Sequence, residues 1–369
     1  MTTRTTPPFR ADNVGSYLRS DAVHQARTEL KAGRIEAAEL AAIEDRDIRD
    51  LIAKQEAIGL DAITDGEIRR GFWQFDFFGM LDGVELVEGN TGMTFQGNSP
   101  RPLSVRITGK LGFPADHPML QHFAFLRDNT SRVAKMTIPA PTVMHFRMAA
   151  DALAGSGYTG RDDFFEDLAA TYRDAVAAFY AAGCRYLQFD DTAWGFLCSD
   201  VELEKARARG LTIDGIQEAY VKLINDSLRD KPDDMVVTSH VCRGNFRSTW
   251  IASGGYEPVA ENLFGKVNYD GYFLEYDSER AGGFEPLRFL PKGKKVVVLG
   301  LISSKTGELE APGDVEKRIA EAATIVPLDQ LALSAQCGFA STEEGNSLTE
   351  DQQWAKMREI VEVAQKVWS

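Results

Sequence analysis

The chain has 369 residues, 44% of them hydrophobic and 26% charged, with a formal net charge of −14. That length and composition suit one large α/β barrel with an insertion or two mid-sized domains, while the acidic balance argues against chain-wide binding to nucleic acid or an anionic membrane. Four scattered cysteines (Cys184, Cys198, Cys242, Cys337) do not form a compact disulfide framework, the polar start has no apolar signal region, and no run of about 18 apolar residues spans a membrane, so the expected setting is cytoplasmic.

After the polar leader, residues 10–17 read as a first strand running into the Gly15-Ser16 turn. Residues 21–59 carry Ala, Glu, Leu and Arg at helical spacing, broken at Gly33. Leu60-Asp61-Ala62-Ile63-Thr64 predicts a short second strand, followed by the polar Asp65-Gly66-Glu67. From about 71 to 118 the pattern changes. Aromatics crowd together (Phe72, Trp73, Phe75, Phe77, Phe78), then alternating segments such as Leu103-Ser104-Val105-Arg106-Ile107 predict a β-hairpin inserted over one end of the domain. The aromatics read as a satellite core under that insertion.

A strand over 133–138 is stopped by Pro139 and Pro141. An amphipathic helix follows over 162–182, then a strand over 184–191 that finishes in Asp190 and Asp191. A helical stretch over 199–229 leads to Met235-Val236-Val237, a strand continuing to His240-Val241-Cys242. Next come a Gly-rich turn and helix over 247–264, strands over 272–277 and 294–302, and a helix over 315–325. A last strand over 331–336 ends in Cys337-Gly338, and a helix over 350–367 closes the chain.

Eight strand candidates alternating with helices are the (β/α)₈ signature, so residues 1–369 are expected to form one TIM barrel with the insertion after strand 2. An open doubly wound sheet is the structural alternative. Polar residues repeatedly follow the strands, where such barrels place their active sites. Ser16, Glu67, Asp190, His240, Cys242, Glu275, Ser303 and Cys337 would all face one mouth.

Within that set, the period of two puts His240 and Cys242 on one strand face, roughly 7 Å apart. With Glu275 and Cys337 at later strand ends they make a soft N/S/O donor set suited to tetrahedral zinc. Plainer readings compete: Cys337 as a buried small hydrophobe, and Glu275 as the partner of Arg243 or Arg280. Cys184 and Cys198 are assigned to packing outright.

His-x-Cys, the later Phe273-Leu274-Glu275 and the final Gln336-Cys337-Gly338 resemble the catalytic domain of cobalamin-independent methionine synthase. The resemblance extends to Val14-Gly15-Ser16, Asp65-Gly66-Glu67 and Gln188-Phe189-Asp190, and so covers most of the chain. It implies a zinc-bearing TIM barrel in which His240, Cys242, Glu275 and Cys337 ligate the metal. It also implies that Ser16, Glu67 and Asp190 hold the amino-acid part of homocysteine. The residues agree with that chemistry. A thiol of pKa near 8.5 is a weak nucleophile until zinc deprotonates it, and two carboxylates suit an ammonium group. The plain alternatives are a Glu67 pair with Arg69 or Arg70, and a hydrogen bond from Asp190 to a neighbouring strand.

One position departs from the family pattern. Where long methionine synthases carry a proton-donating histidine, this chain has Ser303, and a hydroxyl is no general acid near pH 7. His145, after the third strand, is a candidate substitute. Lys305 is read as a site for an anionic donor or as a solvated side chain. The expected activity is methyl transfer to homocysteine from methyltetrahydrofolate or another donor. The related epoxyalkane:coenzyme M transferases supply an alternative, epoxide opening by a zinc-bound thiolate. That alternative needs cations at a sulfonated tail, with Arg19, Arg69, Arg70 and Arg243 as candidates. A non-catalytic zinc-stabilised barrel fits less well, since structural zinc ligands are usually local in sequence.

Overall fold

The computed structural model describes residues 4–88, 103–149 and 151–369. Seven parallel strands form one curled sheet in the order β1 (Ala62–Ile63), β4 (Val133–Pro139), β5 (Tyr186–Asp191), β6 (Val236–Val241), β7 (Gly271–Glu275), β8 (Val296–Ile302) and β9 (Leu331–Ala335). The hairpin β2 (Asp82–Glu88) and β3 (Leu103–Gly112) is a separate antiparallel pair between β1 and β4, as the change of pattern after the second strand predicts. Strands β5, β7, β8 and β9 are buried along their whole length. That is the reason β8 and most of β9 read as continuous apolar runs rather than alternating ones.

The expected first strand is an extended segment with a single parallel bridge, Ala11 to Leu333. Two backbone bonds tie it to β9: Asp12 N–H to Leu333 O at 3.0 Å, and Leu333 N–H to Arg10 O at 2.9 Å. On its other side the Asn13 amide donates to Ala62 O of β1 at 2.9 Å. The segment thus closes the barrel as an eighth stave, with side chains replacing a regular ladder. Asp12 shortens that ladder by accepting the N–H groups of Phe9 (3.0 Å) and Asn13 (2.8 Å) itself. Its carboxylate also meets Lys135 at 3.2 Å, a pair with no exposed surface. Around them Phe9, Val14, Ala62, Tyr186, Phe273, Val296, Val298 and Ala332 fill the barrel interior.

Outside the sheet the helices cover the strands: α1 (Asp21–Lys31), α2 (Ala37–Ala57), α3 (Phe75–Phe78), α4 (Pro118–Asn129), α5 (Pro141–Arg147), α6 (Arg161–Ala181), α7 (Ala193–Phe196), α8 (Asp200–Ala208), α9 (Ile216–Leu228), α10 (Ala260–Lys266), α11 (Pro312–Ala323) and α12 (Glu350–Trp368). Start signals are satisfied where the sequence supplies them. Ser20 accepts the Val23 N–H ahead of α1, and Thr349 with Gln352 forms a capping box on α12. The helix expected over 247–264 is confined to Ala260–Lys266. Gly254 at φ +133° and Pro258, which has no N–H to give, prevent an earlier start. No helix among the described residues is long and apolar enough to cross a membrane.

Candidate metal centre

Register carries the strand-end residues to one place. Asp190 on β5 lies opposite His240 on β6, so both face inward at the same level. Cys242 follows β6 by one residue on the same face, Glu275 is the last residue of β7, and Cys337 follows β9 by two. The ligand atoms of His240, Cys242, Glu275 and Cys337 all lie within 4.8 Å of one another, and all four residues are buried. His240 Nε2 is 3.4 Å from Cys337 Sγ, and the two sulfurs are 3.6 Å apart. Zinc with bonds of roughly 2.0–2.3 Å sets tetrahedral ligand atoms about 3.3–3.8 Å apart. The donor types and both of these spacings therefore fit zinc.

A second wall of the same cavity carries Ser16, Glu67 and Asp190. Glu67 sits at φ +58°, a left-handed conformation rare for a side-chain-bearing residue, held by its N–H to Asp65 Oδ1 at 2.9 Å. Its carboxylate accepts from Thr137 Oγ1 at 2.8 Å and pairs with Arg70 at 3.3 Å. Two glycines make room. A Cβ on Gly15 would lie 2.8 Å from Glu67 Oε1, and one on Gly338 would lie 2.0 Å from Ser16 Oγ. Asp190 accepts from Gln188 Nε2 at 2.7 Å.

With this geometry in hand, the comparisons are specific. The family model for the catalytic domain of the cobalamin-independent synthase matches residues 9–366. The chain belongs to that family. A solved structure from Listeria monocytogenes, provisionally named a vitamin-B12 independent methionine synthase, is 43% identical with a TM-score of 0.79, covering 99% of this chain and 100% of that one. The uncharacterized Bacillus subtilis protein YxjH is 49% identical over 98% of this chain and 95% of its own length. The 5-methyltetrahydropteroyltriglutamate–homocysteine methyltransferase of Nitratidesulfovibrio vulgaris is 23% identical over 91% of this chain, which spans 39% of that protein.

Electrostatically, the members of the quartet are coupled through the protons they share. Burial alone would lower the His240 pKa, but Cys337, Asp190 and Glu275 outweigh it and raise it to about 9. Cys337 is held well below an ordinary thiol by the hydrogen bond from Cys242, with His240 and Lys305 adding to the effect. Cys242 moves the opposite way, because its proton serves Cys337 and it is buried. Burial, then the neighbouring Glu67, raises Asp190 to about 7.

The structure brings together seven of the sequence-predicted residues: Ser16, Glu67, Asp190, His240, Cys242, Glu275 and Cys337. Ser303 is not among the described residues lining the cavity; its hydroxyl donates to Asp277 Oδ2 at 2.9 Å. His145 is not brought to the quartet. It lines a different cleft, its Nδ1 lies 2.9 Å from Tyr220 Oη, and burial lowers its pKa to about 4. A ring that is neutral at pH 7 has no acidic proton to deliver, so the expectation of a substitute acid there is not supported.

The plain readings hold alongside the functional ones: Glu67 pairs with Arg70, and Glu275 with Arg280. Lys305 is not a solvated side chain. It is 7% exposed and donates to Asn245 Oδ1 at 3.2 Å. Asn245 itself lines the cavity and went unnoticed, although its place three residues after Cys242 was a usable signal. The aromatic cluster divides: Phe75, Phe77 and Phe78 are core, while Phe72 and Trp73 line the cavity.

Proposed function

We propose that this chain is a zinc-dependent S-methyltransferase that moves a methyl group from methyltetrahydrofolate or another donor to homocysteine, giving methionine. One observation carries the choice of acceptor: two carboxylates, Glu67 and Asp190, share a cavity with a His/Cys/Glu/Cys donor set. Glu67 and Asp190 bind and orient an ammonium group, which places the sulfur of a short amino-acid thiol toward His240, Cys242 and Cys337. These three residues with Glu275 would hold the metal. Zinc bound there supplies the Lewis acidity that keeps a substrate thiol ionised at neutral pH. Phe72, Trp73, Phe196, Phe246 and Ile251 form the apolar part of the wall and exclude water from the sulfur.

The same wall weighs against a sulfonated thiol. Arg19, Arg69, Arg70 and Arg243 are not among the described residues lining the cavity. Arg19 is spent on backbone carbonyls, among them Glu67 O at 2.7 Å and Arg70 O at 2.8 Å. Arg69 pairs with Asp45 at 2.5 Å, Arg70 with Glu67, and Arg243 lies over the Tyr256 ring. The deciding experiment crosses homocysteine and coenzyme M with methyltetrahydrofolate, methylcobalamin and an epoxide, using zinc-loaded protein. Turnover with homocysteine and a methyl donor is expected; turnover confined to coenzyme M and epoxide overturns the reading.

A further inference from the structure

Glu275 differs from the other three members of the quartet in what stands behind it. Its side chain is wholly buried, and both carboxylate oxygens already accept hydrogen bonds from the protein. Oε1 takes the backbone N–H of Arg243 at 2.7 Å, and Oε2 takes the guanidinium of Arg280 at 3.0 Å. The same Nη2 of Arg280 reaches Asp277 Oδ1 at 2.8 Å, and Asp277 Oδ2 accepts from Ser303 Oγ at 2.9 Å. Arg280 is fixed further by lying 4.8 Å from the centre of the Trp250 ring. Among the described residues, no cation donates a hydrogen bond to His240, Cys242 or Cys337.

Resting on the thiol-alkylation reading, we propose that Arg280 is a positioning residue that makes Glu275 the exchangeable member of the quartet and receives its carboxylate when a substrate sulfur takes its place. A guanidinium on one carboxylate oxygen withdraws electron density from the other, so Glu275 is the weakest donor of the four. The Arg243 N–H and Arg280 offer the displaced charge a ready partner inside the wall, where an unpaired carboxylate would be costly. Asp277 and Ser303 keep Arg280 aimed. The side chain at the position of the family's proton donor thus acts here as an anchor at the far end of this chain of hydrogen bonds.

The test is X-ray absorption at zinc, with and without homocysteine, joined to zinc affinity by chelator competition. Wild type is expected to go from two sulfur ligands to three on adding homocysteine. In R280M, zinc should bind about tenfold tighter and homocysteine about tenfold more weakly, with the third sulfur appearing only at high thiol. R280K should restore much of the wild-type behaviour, and S303A should shift both affinities the same way by less. R280Q gives the same reading where R280M fails to fold. An R280M or R280Q site that gains the third sulfur at wild-type affinity overturns the role of Arg280 while leaving the alkyltransferase reading intact. A wild-type site that never gains a third sulfur with homocysteine overturns that reading, and this inference with it.

Discussion

The two walls of the cavity are built by opposite means. The metal wall uses regular strand ends: His240 and Cys242 by alternation along β6, Glu275 as the last residue of β7, Cys337 just past β9. The carboxylate wall relies on irregular backbone. It needs Glu67 in a left-handed conformation, Gly15 stripped of a Cβ to admit the Glu67 carboxylate, and Gly338 to admit Ser16. A metal ion demands a fixed divergence of donors, which a barrel rim supplies at no cost in strain. The ammonium group of the proposed acceptor would need close approach of loops, which the glycines and the left-handed Glu67 permit.

Breaking the metal wall should have the largest effect. Cys337→Ser should lose more than about 100-fold in zinc affinity, with turnover falling below detection, read by metal analysis and assay. Wild-type zinc content in that variant would end the assignment. Breaking the carboxylate wall should leave zinc in place. Glu67→Gln removes a charge-assisted contact worth about 1.5–3 kcal/mol, so KM for homocysteine should rise roughly 10- to 150-fold at unchanged zinc stoichiometry. Loss of zinc with that change would mean the walls are not separable.

Backbone changes should be milder and confined to the second wall. Gly15→Ala, at φ +148° and against Glu67 Oε1, should destabilise by about 1–3 kcal/mol and raise KM without releasing zinc. Thermal melts and metal analysis together decide it.

Titration sharpens the contrast further. Asp190, raised to about 7, stays protonated in the folded chain where an unfolded aspartate has already ionised. Its burial therefore costs stability that grows as pH rises from about 4 to 7, and binding of a cationic amino acid strengthens through pH 7. Asp190→Asn should flatten both trends in melts and in KM profiles. His145 gives the smallest effect and the opposite sign. Its lowered pKa means that stability is lost as pH falls from 6.5 to about 4. His145→Gln should abolish that slope and leave kcat within about twofold, because the residue touches neither wall. A kcat loss of 100-fold would return it to the chemistry.

How far the sequence speaks for itself follows the same division. Period-two spacing and apolar runs locate β6, β7 and β9, so the clustering of His240, Cys242, Glu275 and Cys337 is readable from strand-end position, while plainer readings of Cys337 and Glu275 stay open without the resemblance. Ser16, Glu67 and Asp190 are also readable as strand-end residues, but their role comes only from the resemblance, and no periodicity announces the positive φ at Glu67 or the space left by Gly15. The N-terminal stave was visible as an extended segment, but not its single bridge, because Asp12 and Asn13 spend side-chain atoms on bonds that a ladder would make. The long helix expected after Cys242 ignored the breaking power of Gly254 and Pro258.

That N-terminal stave has a further consequence for how the molecule comes into being. Residues 10–13 hydrogen-bond to Leu333 and Ala62, and Ser16 bonds backbone groups of Phe339 and Ala340, contacts more than 300 positions apart along the chain for all but Ala62. During ribosomal synthesis the first stave must wait, unpartnered on one side, until nearly the whole polypeptide has emerged. Cys337, the last member of the quartet, arrives in the same stretch that closes the barrel. Assembly of the four-residue quartet and completion of the fold therefore depend on the same late stretch of chain.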